Sequence, residues 1–100
     1  MADVLDDAAV RTALADLPDW DGDTQGIRRR VKAPDFPTAI RIVDEVGAIA
    51  EERNHHPDID IRWRNLHFTL VTHSVGGVTQ ADVDMARAID EVAARYPAKS

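Results

Sequence analysis

From Ile59 to Leu70 the chain alternates between apolar and polar side chains twice over. Ile59, Ile61 and Trp63 are interleaved with Asp58, Asp60, Arg62 and Arg64, and Leu66, Phe68 and Leu70 with His67, Thr69 and Val71. A period of two indicates two half-buried strands, one face packed on a core and the other wet. With Arg64-Asn65 as a two-residue hairpin turn, Trp63 pairs with Leu66, Ile61 with Phe68 and Ile59 with Leu70. All the large apolar residues then share one face, as a register anchored by burial requires.

The flanking segments read as helices. Ala39, Ile42, Val43, Val46, Ile49 and Ala50 form a stripe at helical spacing, with Arg41, Asp44, Glu45 and Glu52 toward water. Pro34-Asp35-Phe36-Pro37 opens this helix, and Pro57 obliges it to stop near Asn54 or His55. After Gly76-Gly77, Thr79-Gln80-Ala81-Asp82 reads as a capping box with Asp at the acidic position, starting a helix that runs to about Arg95. Leu5, Ala9, Ala13 and Leu17 suggest a first helix over about Val4 to Ala15, closed by Leu17-Pro18. Trp20 to Gly26 is turn-rich and leads into a strand over Ile27 to Lys32. The order α-β-β-α-β-β-α implies an α+β domain: a four-stranded antiparallel sheet with three helices packed on one face. With 100 residues, 1–100 reads as a single domain, and a core this small favours oligomerisation.

Composition narrows the function. A net charge of −6 argues against a nucleic-acid backbone as partner. No apolar run approaches the ~20 residues needed to span a bilayer. The acidic start, Met1-Ala2-Asp3-Val4-Leu5-Asp6-Asp7, lacks the basic opening of a secretion signal, so a soluble cytoplasmic protein is expected. No cysteine is present, which removes disulfides and thiolate chemistry.

What remains is a set of imidazoles and carboxylates. Glu51-Glu52-Arg53-Asn54-His55-His56-Pro57 lies at a helix end, and Thr72-His73-Ser74 follows the second strand. The hairpin register above, extended, sets His56 opposite His73 on the polar face, and directly opposed side chains stand roughly 5 Å apart at Cβ. Glu51, one helical turn before His55, is placed to accept a hydrogen bond from it. Asp82, in the first turn of the last helix, suits the helix dipole and is able to orient an imidazole. His67 shares a face with His73 but lies about 20 Å away along the strand, beside Arg62, and is left out of the site. Imidazole moves protons near neutral pH, its ordinary pKa being ~6.5. Histidines gathered in one pocket therefore point to acid–base chemistry on a small molecule. Zinc is the rival occupant, but adjacent histidines rarely point the same way, and these spacings match no standard zinc motif.

Glu51-x-x-x-His55-His56-Pro57, the aromatic Trp63, Leu70-x-Thr72-His73 and Gly77-Val78-Thr79-x-x-Asp82 together resemble the pterin-4a-carbinolamine dehydratase family. Leu14-x-x-Leu17-Pro18-x-Trp20 and the helix from Phe36 to Glu51 are similar to it as well. The resemblance implies an α+β fold, a homodimer or homotetramer, and no metal or organic cofactor. The implied reaction is loss of water from 4a-hydroxytetrahydropterin (4a-hydroxytetrahydrobiopterin), giving the quinonoid dihydropterin in recycling of the cofactor of aromatic amino acid hydroxylases. By the family's pattern, His55, His56 and His73 are the catalytic or substrate-contacting histidines, and Asp82 supports His73. Asn54 and the backbone of Val71, Thr72, His73 and Ser74 border the pterin. One departure is Ala81, where animal members carry arginine. Members also serve as non-enzymatic partners, stabilising a transcription-factor dimer or assisting enzyme assembly, which is the alternative function the resemblance carries.

Overall fold

The computed structural model describes residues 3–98. Helix α1 spans Asp7–Ala15, strand β1 Asp21–Asp23, strand β2 Gly26–Lys32 and helix α2 Phe36–Arg53. Strands β3 (Asp58–Arg62) and β4 (Asn65–Leu70) follow, then helix α3 (Gln80–Ala94). The four strands form one antiparallel sheet in the order β1-β2-β4-β3. The expected α+β architecture and element order are thus the observed ones.

Each helix starts where a side chain can take up an orphan amide. Asp6 accepts from the Ala9 N–H at 2.8 Å and Asp35 from the Thr38 N–H at 2.8 Å. The Asp6 cap delays α1 relative to the expected start at Val4. Val4 instead makes an isolated antiparallel bridge with Thr79, and the Leu5 N–H donates to the Val78 carbonyl at 2.8 Å. The buried face of α1 is consequently Val10 with Leu17 beyond it, with Leu5, Ala13 and Leu14 packed at its margin. Helix α2 buries Ala39, Ile42, Val46 and Ala50, the expected stripe.

The hairpin register differs from the one read in the sequence. Ile59 pairs with Phe68, Ile61 with Leu66 and Arg62 with Asn65, so the two-residue turn is Trp63-Arg64. A shift of two residues keeps every side chain on its face, and an argument from alternation cannot detect it. Long-range pairing decides the matter: Asn65 is committed to Lys32 of β2, and the Arg64 carbonyl accepts from the Ala33 N–H at 2.9 Å. The cost falls on Trp63, whose φ of 58° lies in the left-handed region that bulky residues avoid. Its ring carries the Arg64 guanidinium 4.7 Å from the centroid.

Leu66, Phe68 and Leu70 on β4, together with Ile27 and Val31 on β2, are buried against Ile42 and Val46 of α2 and Ile89 and Val92 of α3. Burying each such side chain contributes about 1.5–3 kcal/mol. Arg29 is the polar intruder on the inner side of β2. Its guanidinium and the Trp20 indole N–H both donate to the Asp90 carboxylate, pinning the chain after α1 to α3. Strand β3 is an edge, and Ile61 on it and Trp63 in the turn after it remain exposed. Among the described residues, no helix is long and apolar enough to cross a membrane.

Candidate active site

The site is assembled by two helix ends and one loop. Asn54 caps the C-terminus of α2 in the left-handed conformation (φ 51°, ψ 43°), and the His55 N–H closes on the Ala50 carbonyl at 3.0 Å. Such a cap reverses the chain within one residue. It turns the His55 imidazole toward the start of α3, where Nε2 lies 2.6 Å from Asp82 Oδ1. Asp82 has no solvent exposure at all, and the imidazole little.

A buried carboxylate persists only when its lone pairs are used. Asp82 Oδ2 accepts from the Thr72 hydroxyl at 2.8 Å and from the Thr79 N–H at 2.9 Å, the latter being the acidic half of the capping box. Oδ1 is left for His55. Because a carboxylate only accepts, Nε2 is the donor of this bond, and Nδ1 is the nitrogen left for another partner. The result is an oriented imidazole able to take up or deliver a proton at a defined nitrogen.

Thr72 begins the loop that carries His73 and Ser74. Its N–H donates to the Gly77 carbonyl at 3.0 Å, and its own carbonyl accepts from the Gly76 N–H at 3.0 Å. Gly76 adopts φ 69°, which lets the loop close this tightly. His73 is exposed on that loop, one residue from the hydroxyl that binds the carboxylate holding His55.

Three expectations require correction. Glu51 does not bind His55; its Oε2 lies 3.0 Å from Nε2 of His56, in a pair open to solvent. The left-handed cap turns His55 off the line of α2, so the preceding turn of helix no longer faces it. Asp82 supports His55 rather than His73, because its second oxygen is occupied by the capping amide and Thr72. His56 is not cross-strand from His73 either, since β4 ends at Leu70 and the observed register would set His56 against Val71. The convergence of the two chain segments holds nonetheless, through Asp82 instead of through strand pairing. His67 lies on the outer face of the sheet, in register with Arg30 on one side and Asp60 on the other.

Sequence reasoning missed the side-chain roles of Thr72 and Thr79, and it missed the hollow beside His55. That hollow, about 450 Å³, is lined by Arg53, Ala81, Asp84, Arg87, Ala88 and Glu91. The signal was present: Ala81, Asp84, Ala88 and Glu91 recur at helical spacing on one face of α3. Arg53 reaches into the same region, its guanidinium donating to the Asp84 carbonyl at 3.2 Å. Among the described residues, no group of three or more histidines and carboxylates is arranged to hold a metal ion.

Comparisons with known proteins place the chain in a family. The family model described as "Pterin 4 alpha carbinolamine dehydratase" matches residues 3–92. A Nocardia farcinica protein provisionally named pterin-4-alpha-carbinolamine dehydratase is 55% identical over 91 residues, covering 91% of this chain and 96% of its own. A Mycobacterium avium protein with the same provisional name is 51% identical over 89 residues, covering 89% and 95%. The crystal structure of a transcriptional coactivator/pterin dehydratase from Brucella melitensis has a TM-score of 0.88 at 32% identity, covering 91% of this chain and 99% of that one. A pterin dehydratase-like protein identified as a RuBisCO assembly factor in the alpha-carboxysome shares the fold, with a TM-score of 0.61 at 21% identity over 74% and 86%. On a family match spanning residues 3–92 and on relatives identical at half their positions, the chain belongs to the pterin-4a-carbinolamine dehydratase family.

Proposed function

We propose that this protein removes water from a 4a-hydroxytetrahydropterin, 4a-hydroxytetrahydrobiopterin being the type substrate, by histidine acid–base catalysis. The observation that carries the reading is the His55–Asp82 contact of 2.6 Å, with a fully buried carboxylate fixing which imidazole nitrogen is free. The reaction breaks the C4a–O bond, removes the N5 proton and forms the N5–C4a double bond, so that water and the quinonoid dihydropterin leave. Two proton transfers are required, one to the departing hydroxyl and one from N5. In this reading His55 and His73 perform them, and His56 with Asn54 and the 71–74 backbone seat the ring. Positioned groups of this kind typically give ~10²–10⁴-fold each. The carbinolamine also breaks down unaided at a measurable rate, so modest catalysis suffices.

The same reading makes the protein a cytoplasmic homodimer or homotetramer built from one domain over 1–100, working without metal or organic cofactor. Its product would be reduced again to serve an aromatic amino acid hydroxylase. The second reading, a non-enzymatic binding or assembly partner, is favoured by one observation: Phe36, Ile40, Ile61 and Trp63 are exposed apolar residues available for a partner.

The deciding experiment follows the ultraviolet absorbance of enzymatically generated 4a-hydroxytetrahydropterin, with the wild-type protein and with His73→Ala. Acceleration by the wild type that the variant lacks is the expected result. Decay at the spontaneous rate with both proteins overturns the dehydratase reading and leaves the binding role.

A further inference from the structure

We infer that Thr72 is the positioning residue of this site, holding the Asp82 carboxylate in the plane that serves His55 and tying the His73 loop to it. The inference rests on the dehydratase reading for its consequence, though not for its geometry. Thr72 Oγ1 has one proton and donates it to Asp82 Oδ2 at 2.8 Å. Its second contact, with Thr79 Oγ1 at 2.8 Å, must therefore have Thr79 as donor. The protons run in one direction, from the Thr79 hydroxyl to the Thr72 hydroxyl and on to Asp82.

A carboxylate anchored at one oxygen by a single amide can still turn about its last side-chain bond, which is a soft torsion. The Thr79 N–H supplies one anchor at 2.9 Å, and the Thr72 hydroxyl supplies the second on the same oxygen. Two donors from different directions fix the plane, and the opposite oxygen then meets His55 at 2.6 Å. The backbone of Thr72 is equally committed. Its carbonyl accepts from Val75 and Gly76 and its N–H donates to Gly77, which closes the loop bearing His73. One residue thus sets the orientation of one proposed proton-transfer histidine and the attachment of the other.

The test compares Thr72→Ser, which keeps the hydroxyl, with Thr72→Val, which keeps the shape. Valine is expected to lower kcat about tenfold to a hundredfold, the usual cost of losing a group that orients a site residue, while KM changes little. Serine is expected to restore turnover to near the wild-type value. In parallel, the His55 imidazole nitrogens are observed by ¹⁵N NMR without substrate. The wild type and the serine variant should show the Nε2–H tautomer, and the valine variant a mixture. This arm stands even if the protein accelerates no dehydration, so the two readings fail separately. Valine with wild-type kcat and tautomer, or serine no better than valine in a folded protein, overturns the inference.

Discussion

Replacing Asp82 by asparagine and by alanine separates its two duties. The carboxylate takes three donors in a position closed to solvent: His55 Nε2, the Thr72 hydroxyl and the Thr79 N–H. In Asp82→Asn the amide oxygen can keep Thr79 and Thr72, because an N–H in that place would face the Thr79 N–H head-on. The amide nitrogen must then face His55 and donate to Nε2, driving the imidazole proton to Nδ1. The capping interaction survives, so the loss of stability should stay near about 1 kcal/mol. Catalysis should not survive, since a wrong-tautomer imidazole costs on the order of 10⁴-fold in serine proteases. The acceleration over spontaneous decay should disappear in the stopped-flow trace. In Asp82→Ala the Thr79 amide, at a position 1% exposed, has no replacement acceptor. One unsatisfied buried amide costs about 1–3 kcal/mol, and the lost bonds to His55 and Thr72 add to that. A total of about 3 kcal/mol corresponds to a fall in Tm of about 12–24 °C at the usual 4–8 °C per kcal/mol for a domain of this size. Calorimetry on both variants, beside stopped-flow absorbance, reads the two effects apart. An asparagine variant that melts as early as the alanine one, or that turns over like the wild type, would refute the assignment of the two carboxylate oxygens.

Four further outcomes are expected. His73→Ala should lose ~10²–10⁴-fold in acceleration, whereas His67→Ala, on the outer face of the sheet, should be nearly silent in the same assay; equal losses would contradict the placement of His67 outside the site. Asn54→Ala puts a side chain with no αL preference at φ 51° and should cost about 1 kcal/mol by urea melt, while Asn54→Gly should be neutral or better. Trp63→Gly relieves the left-handed φ of 58° but adds freedom to the unfolded hairpin, so Trp63→Asn is the informative change; it too loses the Arg64 stacking, and the net expected gain is about 0.5–1 kcal/mol. The Tyr96 hydroxyl, aided by Arg95, holds Glu45 below its ordinary 4.5, and the bond to Glu45 holds Tyr96 above its ordinary 10.0. The stabilisation of Glu45 is present above pH 4.5 and lost as the pH falls through its lowered folded value. That of Tyr96 is present below pH 10.0 and lost as the pH rises through its raised folded value. The stability gap between wild type and Tyr96→Phe should therefore be flat at neutral pH and shrink at both extremes, as urea melts across pH will read.

The fold was legible because local pattern and global packing agree in most elements. The α2 stripe from Ala39 to Ala50 and the alternation of Leu66, Phe68 and Leu70 each permit one arrangement against a core. The hairpin turn was not legible. Asn65 tolerates left-handed backbone better than Trp63 does, but pairing with Lys32 on the neighbouring strand outweighs that local preference. Candidate site residues could be picked out of the sequence, but their mutual contacts could not. Which carboxylate meets which histidine depends on the left-handed turn at Asn54 and on the Thr72 hydroxyl. Neither leaves a periodic trace, and the direction a side chain takes at a helix end is fixed by tertiary contacts.

The bridge from Val4 to Thr79, with the Leu5 amide on Val78, has a consequence for how the protein comes into being. The earliest described residues are laid against the cap of the last helix, and that cap carries Asp82. During synthesis this closure has to wait until α3 has left the ribosome, long after Val4 has been made. Contacts between distant parts of a chain slow folding, because the entropy of closing the loop is lost before the contact is gained. The corner where His55 meets Asp82 therefore cannot form before α3 does, and a nascent chain cut short before α3 has the histidines without the carboxylate that orients His55.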